Sequence, residues 1–181
     1  MITIEQPAMV LNAVTPPPQI ARYQMWNSWD VQPAANSGRI IENCRTVARS
    51  APGGKLKNLI IQCHGAPGQI SIGQGFDRSN VGLFSGLQGC VELIWIVACQ
   101  PARISVTCSP GTFCPADGNL FISEMARAAQ CEIIAPTETQ TNRSITYAFG
   151  MIPSYEGLIV KYNRLGRIYW SQRYPSTHQG E

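Results

Sequence analysis

The sequence is short of charge. Asp, Glu, Lys and Arg make up only 14% of its 181 residues, and the formal net charge is +3. Hydrophobic residues make up 44%, a balance that excludes an intrinsically disordered chain and fits a folded one with a full core. The basic residues are scattered, and no Lys/Arg run interleaves with aromatics, so no nucleic-acid partner is expected. No apolar stretch reaches the ~18 residues that a membrane-spanning helix needs, so no membrane partner is expected. The first 14 residues hold Glu5 and no basic segment, which argues against a cleaved secretory signal. The expected location is the cytoplasm, or outside it by a route that uses no cleaved signal. No CxxC pair occurs, and the two histidines, His64 and His178, stand far apart. A metal site is therefore not expected, and no motif calls for a cofactor. There is no G-x-S-x-G and no internal repeat, and the length suits a single domain over 1–181.

Cysteine, by contrast, is plentiful, with seven residues. Cys63, Cys90, Cys99 and Cys131 lie in or beside apolar runs, as buried reduced thiols do. Cys108 and Cys114 flank Ser-Pro-Gly-Thr-Phe. They fit a disulfide in an oxidising compartment or two free loop thiols in a reducing one.

The hydrophobic pattern predicts an α/β chain. An apolar run over 8–14 ends at three prolines and reads as an edge or first strand. Residues 20–29 are aromatic-rich and fit no single element. Asn36-Ser37 is a capping signal for a helix over 38–50, with Ile40, Ile41, Cys44 and Val47–Ala48 on its apolar face. Strong strands, apolar enough to be covered on both faces, are expected over 56–63 and 90–99. A loop is expected at 64–68, a short strand at 69–73 and a short helix at 79–87. After a long polar loop over 100–118 come an amphipathic helix (119–130) and a strand (131–135). The C-terminal region offers a strand-like stretch at 144–149 and a hairpin of 157–162 with 167–170, followed by a frayed tail. This succession predicts a mostly parallel sheet flanked by helices, with C-terminal β-hairpin additions.

Ligands bind such sheets outside the carboxyl ends of the strands. His64 and Cys99 both fall there, each where a strong strand enters a loop. An imidazole beside a thiol promotes the thiolate, which is the nucleophile of cysteine enzymes. Adjacent parallel strands run ~4.8 Å apart, so side chains at their ends come within reach of each other. The backbone N–H groups of Gly65 and Cys99 are candidates for an oxyanion hole, and Gly65 has no Cβ to obstruct a close approach. Alternation turns Cys63 the other way, into the core.

His-Gly after one apolar strand and Ala-Cys after the next resembles the caspase-like clan of cysteine peptidases, especially its bacterial CHAT-type members. The matching residues are Cys63-His64-Gly65 after LIIQ and Ala98-Cys99 after LIWIV. The resemblance extends over roughly 55–140. It implies a caspase-hemoglobinase-like fold and a peptidase acting on a protein or peptide through a His64–Cys99 dyad and an acyl-enzyme. It makes the loop over 100–118 a wall of the specificity pocket, with Gln100 and Asp117 as candidates and Asp117 suited to a basic side chain. Caspases carry Gln-Ala-Cys-Arg-Gly where this sequence has Val97-Ala98-Cys99-Gln100-Pro101, which removes any ground for aspartate specificity.

Two alternatives stay open. One is a non-catalytic binding module of the same fold. The other is an α/β-hydrolase-type esterase, in which HGAPG is similar to an oxyanion loop and His178 is the late histidine. A nucleophile elbow needs small residues two positions on either side of the nucleophile, where Val97 and Pro101 stand.

Overall fold

A computed structural model describes residues 1–15, 21–104, 116–141 and 145–176. Cys108, Cys114 and His178 lie outside the described residues. The main elements in chain order are β1 (Ile2–Thr3), β2 (Ala8–Ala13), β3 (Asn27–Val31), α1 (Ser37–Ser50), β4 (Leu56–Gln62), β5 (His64–Ala66), β6 (Gln69–Ser71) and β7 (Phe76–Asp77). A 3₁₀ helix (Val81–Leu87), β8 (Val91–Val97), α2 (Gly118–Ala129), β9 (Glu132–Pro136), β10 (Met151–Ile152), β11 (Gly157–Tyr162) and β12 (Ile168–Tyr174) follow.

The main sheet has seven strands in the order β12-β11-β9-β8-β4-β2-β3. Its five strands from β9 to β3 are parallel, and β11 and β12 are antiparallel additions. The chain is therefore α/β with a mixed, mainly parallel sheet. The expected C-terminal hairpin is present, but β12 runs on to Tyr174, four residues past the expected end. Strand β2 lies inside the sheet between β3 and β4, fully buried, rather than at an edge. The unassigned stretch ending at Trp29 supplies the edge strand β3.

Both helices and the 3₁₀ helix cover one face. Their buried side chains, among them Ile40, Cys44, Phe84, Phe121 and Met125, share a core with Met9, Leu11, Leu59 and Ile61. The other face carries no described helix. There Ala21, Tyr23 and Met25, with Ile4 and Ile152, cover Ala8, Val10 and Ile60. The handedness of crossovers explains the asymmetry. The chain steps from β2 to β3 in one direction across the sheet, then from β3 through β4 and β8 to β9 in the other. Right-handed connections running in opposite directions fall on opposite faces. All helical crossovers run the second way, and only the connection between β2 and β3, which has no helix among its described residues, runs the first.

The irregular cover is less complete than the helical one. In β8, Ile94 and Ile96 are buried against the helices, while Leu93, Trp95 and Val97 on the other side are only partly covered. The strand is thus not sealed on both faces as its composition suggested.

Local signals act as expected where they are strong. The Asn36 side chain accepts from the N–H groups of Gly38 (2.9 Å) and Arg39 (3.2 Å) and starts α1. The expected loop at 64–68 is instead a tight hairpin: β5 pairs with β6 around Pro67-Gly68. Of the strand expected at 144–149, residue 144 lies outside the described residues, and the described part contributes a single bridge, Thr146 to Arg22. No described helix is long and apolar enough to cross a membrane.

Candidate active site

Register brings the two candidate residues to the same end of the sheet. Gln62 of β4 is the partner of Val97 of β8, and the Cys63 N–H donates to the Val97 carbonyl at 3.2 Å. The ladder ends at that pair, and His64 and Cys99 each follow it by two residues, at the same end of the sheet. Face follows from alternation. Ile61 and Cys63 belong to the helix-side core, as do Ile94, Ile96 and Ala98. Gln62 and His64, like Val97 and Cys99, fall on the opposite, irregularly covered face. There all four line one cleft of about 490 Å³, with Tyr23, Tyr147 and Tyr155 among its other walls. His64 is exposed and Cys99 is partly exposed.

The hairpin presses on the turn after β8. A Cβ added to Gly65 would lie 2.8 Å from the Cys99 carbonyl oxygen and 2.9 Å from Ala98 Cβ. The missing side chain thus makes room for the backbone of Cys99 itself, where the sequence suggested room for a substrate. The Cys99 N–H makes no backbone hydrogen bond among the described residues.

The Cys99 thiol donates to the Gln140 carbonyl at 3.6 Å. That carbonyl is held in place by the Gln140 side chain. Its Nε2 donates to the carbonyls of Glu138 (3.0 Å) and Glu156 (2.9 Å), and its Oε1 accepts from the Glu156 N–H (2.9 Å). The aromatic walls are also fixed. Asn12 exchanges two hydrogen bonds with the Tyr23 backbone, and Tyr23 packs edge-on against Tyr147 with ring centroids 5.2 Å apart. The Tyr155 hydroxyl donates to the Ile96 carbonyl at 3.1 Å. Burial raises the hydroxyl pKa of Tyr23 and Tyr155 well above the usual phenol range, so both stay neutral.

Gln62 stands out within this wall. It is 3% exposed, and its Oε1 has no hydrogen-bond partner. Leaving such an acceptor unpaired costs roughly 1–3 kcal/mol.

The two proposed pocket residues are placed elsewhere. Gln100 is outside the cleft lining. It has φ +57°, the left-handed region in which a non-glycine residue costs roughly 1–2 kcal/mol. It is held there by its N–H to the Glu138 carbonyl (3.2 Å) and its Nε2 to Thr139 Oγ1 (2.9 Å). Its role is to bend the chain out of the strand direction directly after Cys99. Asp117 caps α2, accepting the Leu120 N–H at 2.9 Å, and is likewise outside the cleft. An aspartate two residues before the expected helix start is a capping signal, and that is the use made of it. Asp117→Ala should therefore lower stability by about 1 kcal/mol, seen as a lower Tm, and leave the alkylation rate of Cys99 unchanged. An altered Cys99 rate would return Asp117 to the site.

Burial weakens three of the other described thiols as acids. Burial pushes Cys63 up to about 12, with neighbouring Cys99 adding to the rise, and burial likewise pushes Cys44 and Cys131 up to about 12. At pH 8 a thiol with a pKa of about 12 is thiolate only roughly once in 10⁴. Iodoacetamide, followed by peptide mass mapping, should modify Cys99 at least about tenfold faster than Cys44, Cys63, Cys90 or Cys131 in the folded protein. Equal rates would remove the distinction.

Among the described residues no cluster of three or more His, Cys, Asp or Glu side chains is arranged to hold a metal ion. Comparison with protein-family models, curated proteins and solved structures finds no match to this chain.

The sequence pointed to His64, Cys99 and Gly65 but missed Gln62, Gln140 and the tyrosine walls. One signal for Gln62 was available: it is a polar residue ending an otherwise apolar run, two positions before His64 and so on the same face.

Proposed function

We propose that this chain is a caspase-like cysteine peptidase that hydrolyses peptide bonds with Cys99 as nucleophile and His64 as proton carrier. The observation that carries the reading is that an imidazole and a thiol from the ends of adjacent parallel strands line one open cleft. The mainly parallel sheet with an antiparallel C-terminal extension is compatible with the caspase-hemoglobinase-like fold that the His-Gly and Ala-Cys dipeptides suggest.

The chemistry follows from the groups present. His64 takes the thiol proton, and the sulfur of Cys99 attacks the scissile carbonyl carbon. The developing oxyanion is met by the Cys99 N–H, with Gly65 held against it. The C–N bond breaks as His64 returns the proton to the leaving amine, which leaves a thioester. Water, deprotonated by His64, then attacks the thioester, releasing the acid and restoring the thiol. The scheme draws on no metal or cofactor. The substrate is a protein or peptide.

One observation favours a non-catalytic binding module instead. The thiol's hydrogen bond to the Gln140 carbonyl suits the neutral form. In the peptidase that bond is given up when His64 takes the proton. Incubation with a denatured protein mixture, followed by mass spectrometry of new termini, separates the two. New termini in wild type and none in Cys99→Ala support the peptidase; none in either supports the binding module.

A further inference from the structure

The chain leaving β9 and the chain entering β11 both line the cleft, the first with Gln140 and the second with Tyr155 and Glu156. Neither is in a strand there, so no ladder joins them. The Gln140 side chain makes the join. Its Nε2 donates to the Glu156 carbonyl at 2.9 Å, and its Oε1 accepts the Glu156 N–H at 2.9 Å. This is the two-way exchange that a strand residue makes with its ladder partner. Nε2 also donates to the carbonyls of Glu138 (3.0 Å) and Thr139 (3.2 Å). A primary amide has two N–H donors and one acceptor oxygen, and here all of them are turned to backbone.

A second anchor comes from the chain that carries the thiol. Gln100, directly after Cys99, gives its N–H to the Glu138 carbonyl (3.2 Å) and its Nε2 to Thr139 Oγ1 (2.9 Å). The Glu138 carbonyl thus accepts from both Gln100 and Gln140. Residues 138–140 are held from both sides, and at their end the Gln140 carbonyl oxygen accepts the Cys99 thiol at 3.6 Å. A hydrogen bond that uses the thiol proton favours the neutral form and opposes the thiolate. An imidazole acts on the same proton in the opposite sense.

We infer that Gln140 is a positioning residue for Cys99: its side-chain amide fixes its own main-chain carbonyl on the sulfur and so keeps the nucleophile protonated and latent until catalysis draws the proton to His64. The inference deepens the peptidase reading above, on which its functional meaning rests. Stray electrophiles and oxidants attack the thiolate, and a thiol held on a carbonyl is shielded from them between turnovers. The titratable groups that line the cleft with Cys99 are His64, Cys63, Tyr23, Tyr147, Tyr155, Glu156 and the amino group of Met1. The Glu138 carboxylate is turned to Arg173 and the Leu158 N–H. A substitution at Gln140 alters none of these groups, so they are common to the proteins compared.

The test compares iodoacetamide rates at Cys99, followed by peptide mapping, in wild type and Gln140→Met. Rates are taken at about pH 6.5 and about pH 9.5, below and above the ordinary thiol range. Methionine has a similar volume and no N–H to give. A hydrogen bond of this kind moves an equilibrium by about three- to tenfold. Gln140→Met should therefore react about three- to tenfold faster than wild type at the lower pH and no faster at the higher, where no thiol proton is left to hold. The S–H stretching band of Cys99, taken as the infrared difference between each protein and its Cys99→Ala version, should move to higher frequency in Gln140→Met. If Gln140→Met melts below the assay temperature, Gln140→Asn carries the same two expectations, since it keeps an amide one methylene too short to span to Glu156. A merely structural Gln140 would lower Tm and change the rate by one factor at both pH values, with the S–H band unmoved, and that would overturn the inference. A His64→Ala rate equal to wild type would overturn the dyad and leave the pH signature of Gln140→Met in place. Loss of that signature beside a slowed His64→Ala would overturn the role of Gln140 alone.

Discussion

Cys99→Ala should reduce peptide hydrolysis by about 10⁴-fold or more, to the level of the uncatalysed background. A nucleophile and its base act as one unit, so loss of either removes most of the catalysis. His64→Ala should cause a loss of the same order, and the double variant should be hardly worse than either single one. Stability should barely respond. Cys99 is only partly buried, and its one side-chain hydrogen bond is a weak thiol contact at 3.6 Å to the Gln140 carbonyl. Initial rates on a fluorogenic peptide, read beside thermal melts of each variant, separate loss of chemistry from loss of fold. Additive losses in the double variant would mean that the two residues do not work together.

Gly65→Ala should have the second-largest effect, through position rather than chemistry. The new methyl would lie 2.8 Å from the Cys99 carbonyl oxygen and 2.9 Å from Ala98 Cβ. The first is backbone, so the β5–β6 hairpin or the turn after β8 has to move. Either movement separates His64 from Cys99. A misplacement of about 1 Å can cost 10²-fold in rate, and overpacking of this kind costs about 1–3 kcal/mol in stability. A compensating Ala98→Gly should not restore activity, because the clash with the Cys99 carbonyl remains. Measured kcat/KM and Tm for Gly65→Ala and for the double variant test this. Full rescue by Ala98→Gly would show that the methyl–methyl contact, not the backbone approach, is what matters.

The parts of this molecule that were legible in the sequence are those governed by short-range rules. Asn36 announced α1, and the apolar runs ending at Gln62 and Val97 announced the two strands that carry the site. His64 and Cys99 could be paired because each follows such a run, and neighbouring parallel strands turn a sequence separation into a spatial one. Cys63 was assigned to the core by alternation alone, and it is buried on the helix side.

What escaped depends on distant partners. Whether β2 is an edge or an interior strand turns on β3, whose sequence, Asn-Ser-Trp-Asp-Val, has only two apolar residues. The tyrosine walls come from positions 23, 147 and 155, in stretches without periodicity: Tyr23 lies between β2 and β3, and Tyr147 and Tyr155 lie between β9 and β11. Asp117 read as a possible substrate contact because the resemblance makes its loop a pocket wall, and the described structure shows it capping α2. Gln62 looked like one more residue near the end of a strand. Only the hydrogen bonds of its neighbours reveal that its own acceptor is unmet.

The most direct test of the central claim is the rate at which iodoacetamide modifies Cys99 at neutral pH in wild type and in His64→Ala, both shown to be folded by their melts. A His64 that shares the cleft rim with Cys99 and takes its proton should make the wild-type thiol at least about tenfold more reactive than the variant's. Identical rates in the two proteins would mean that the imidazole does not act on the thiol, and the dyad would have to be abandoned.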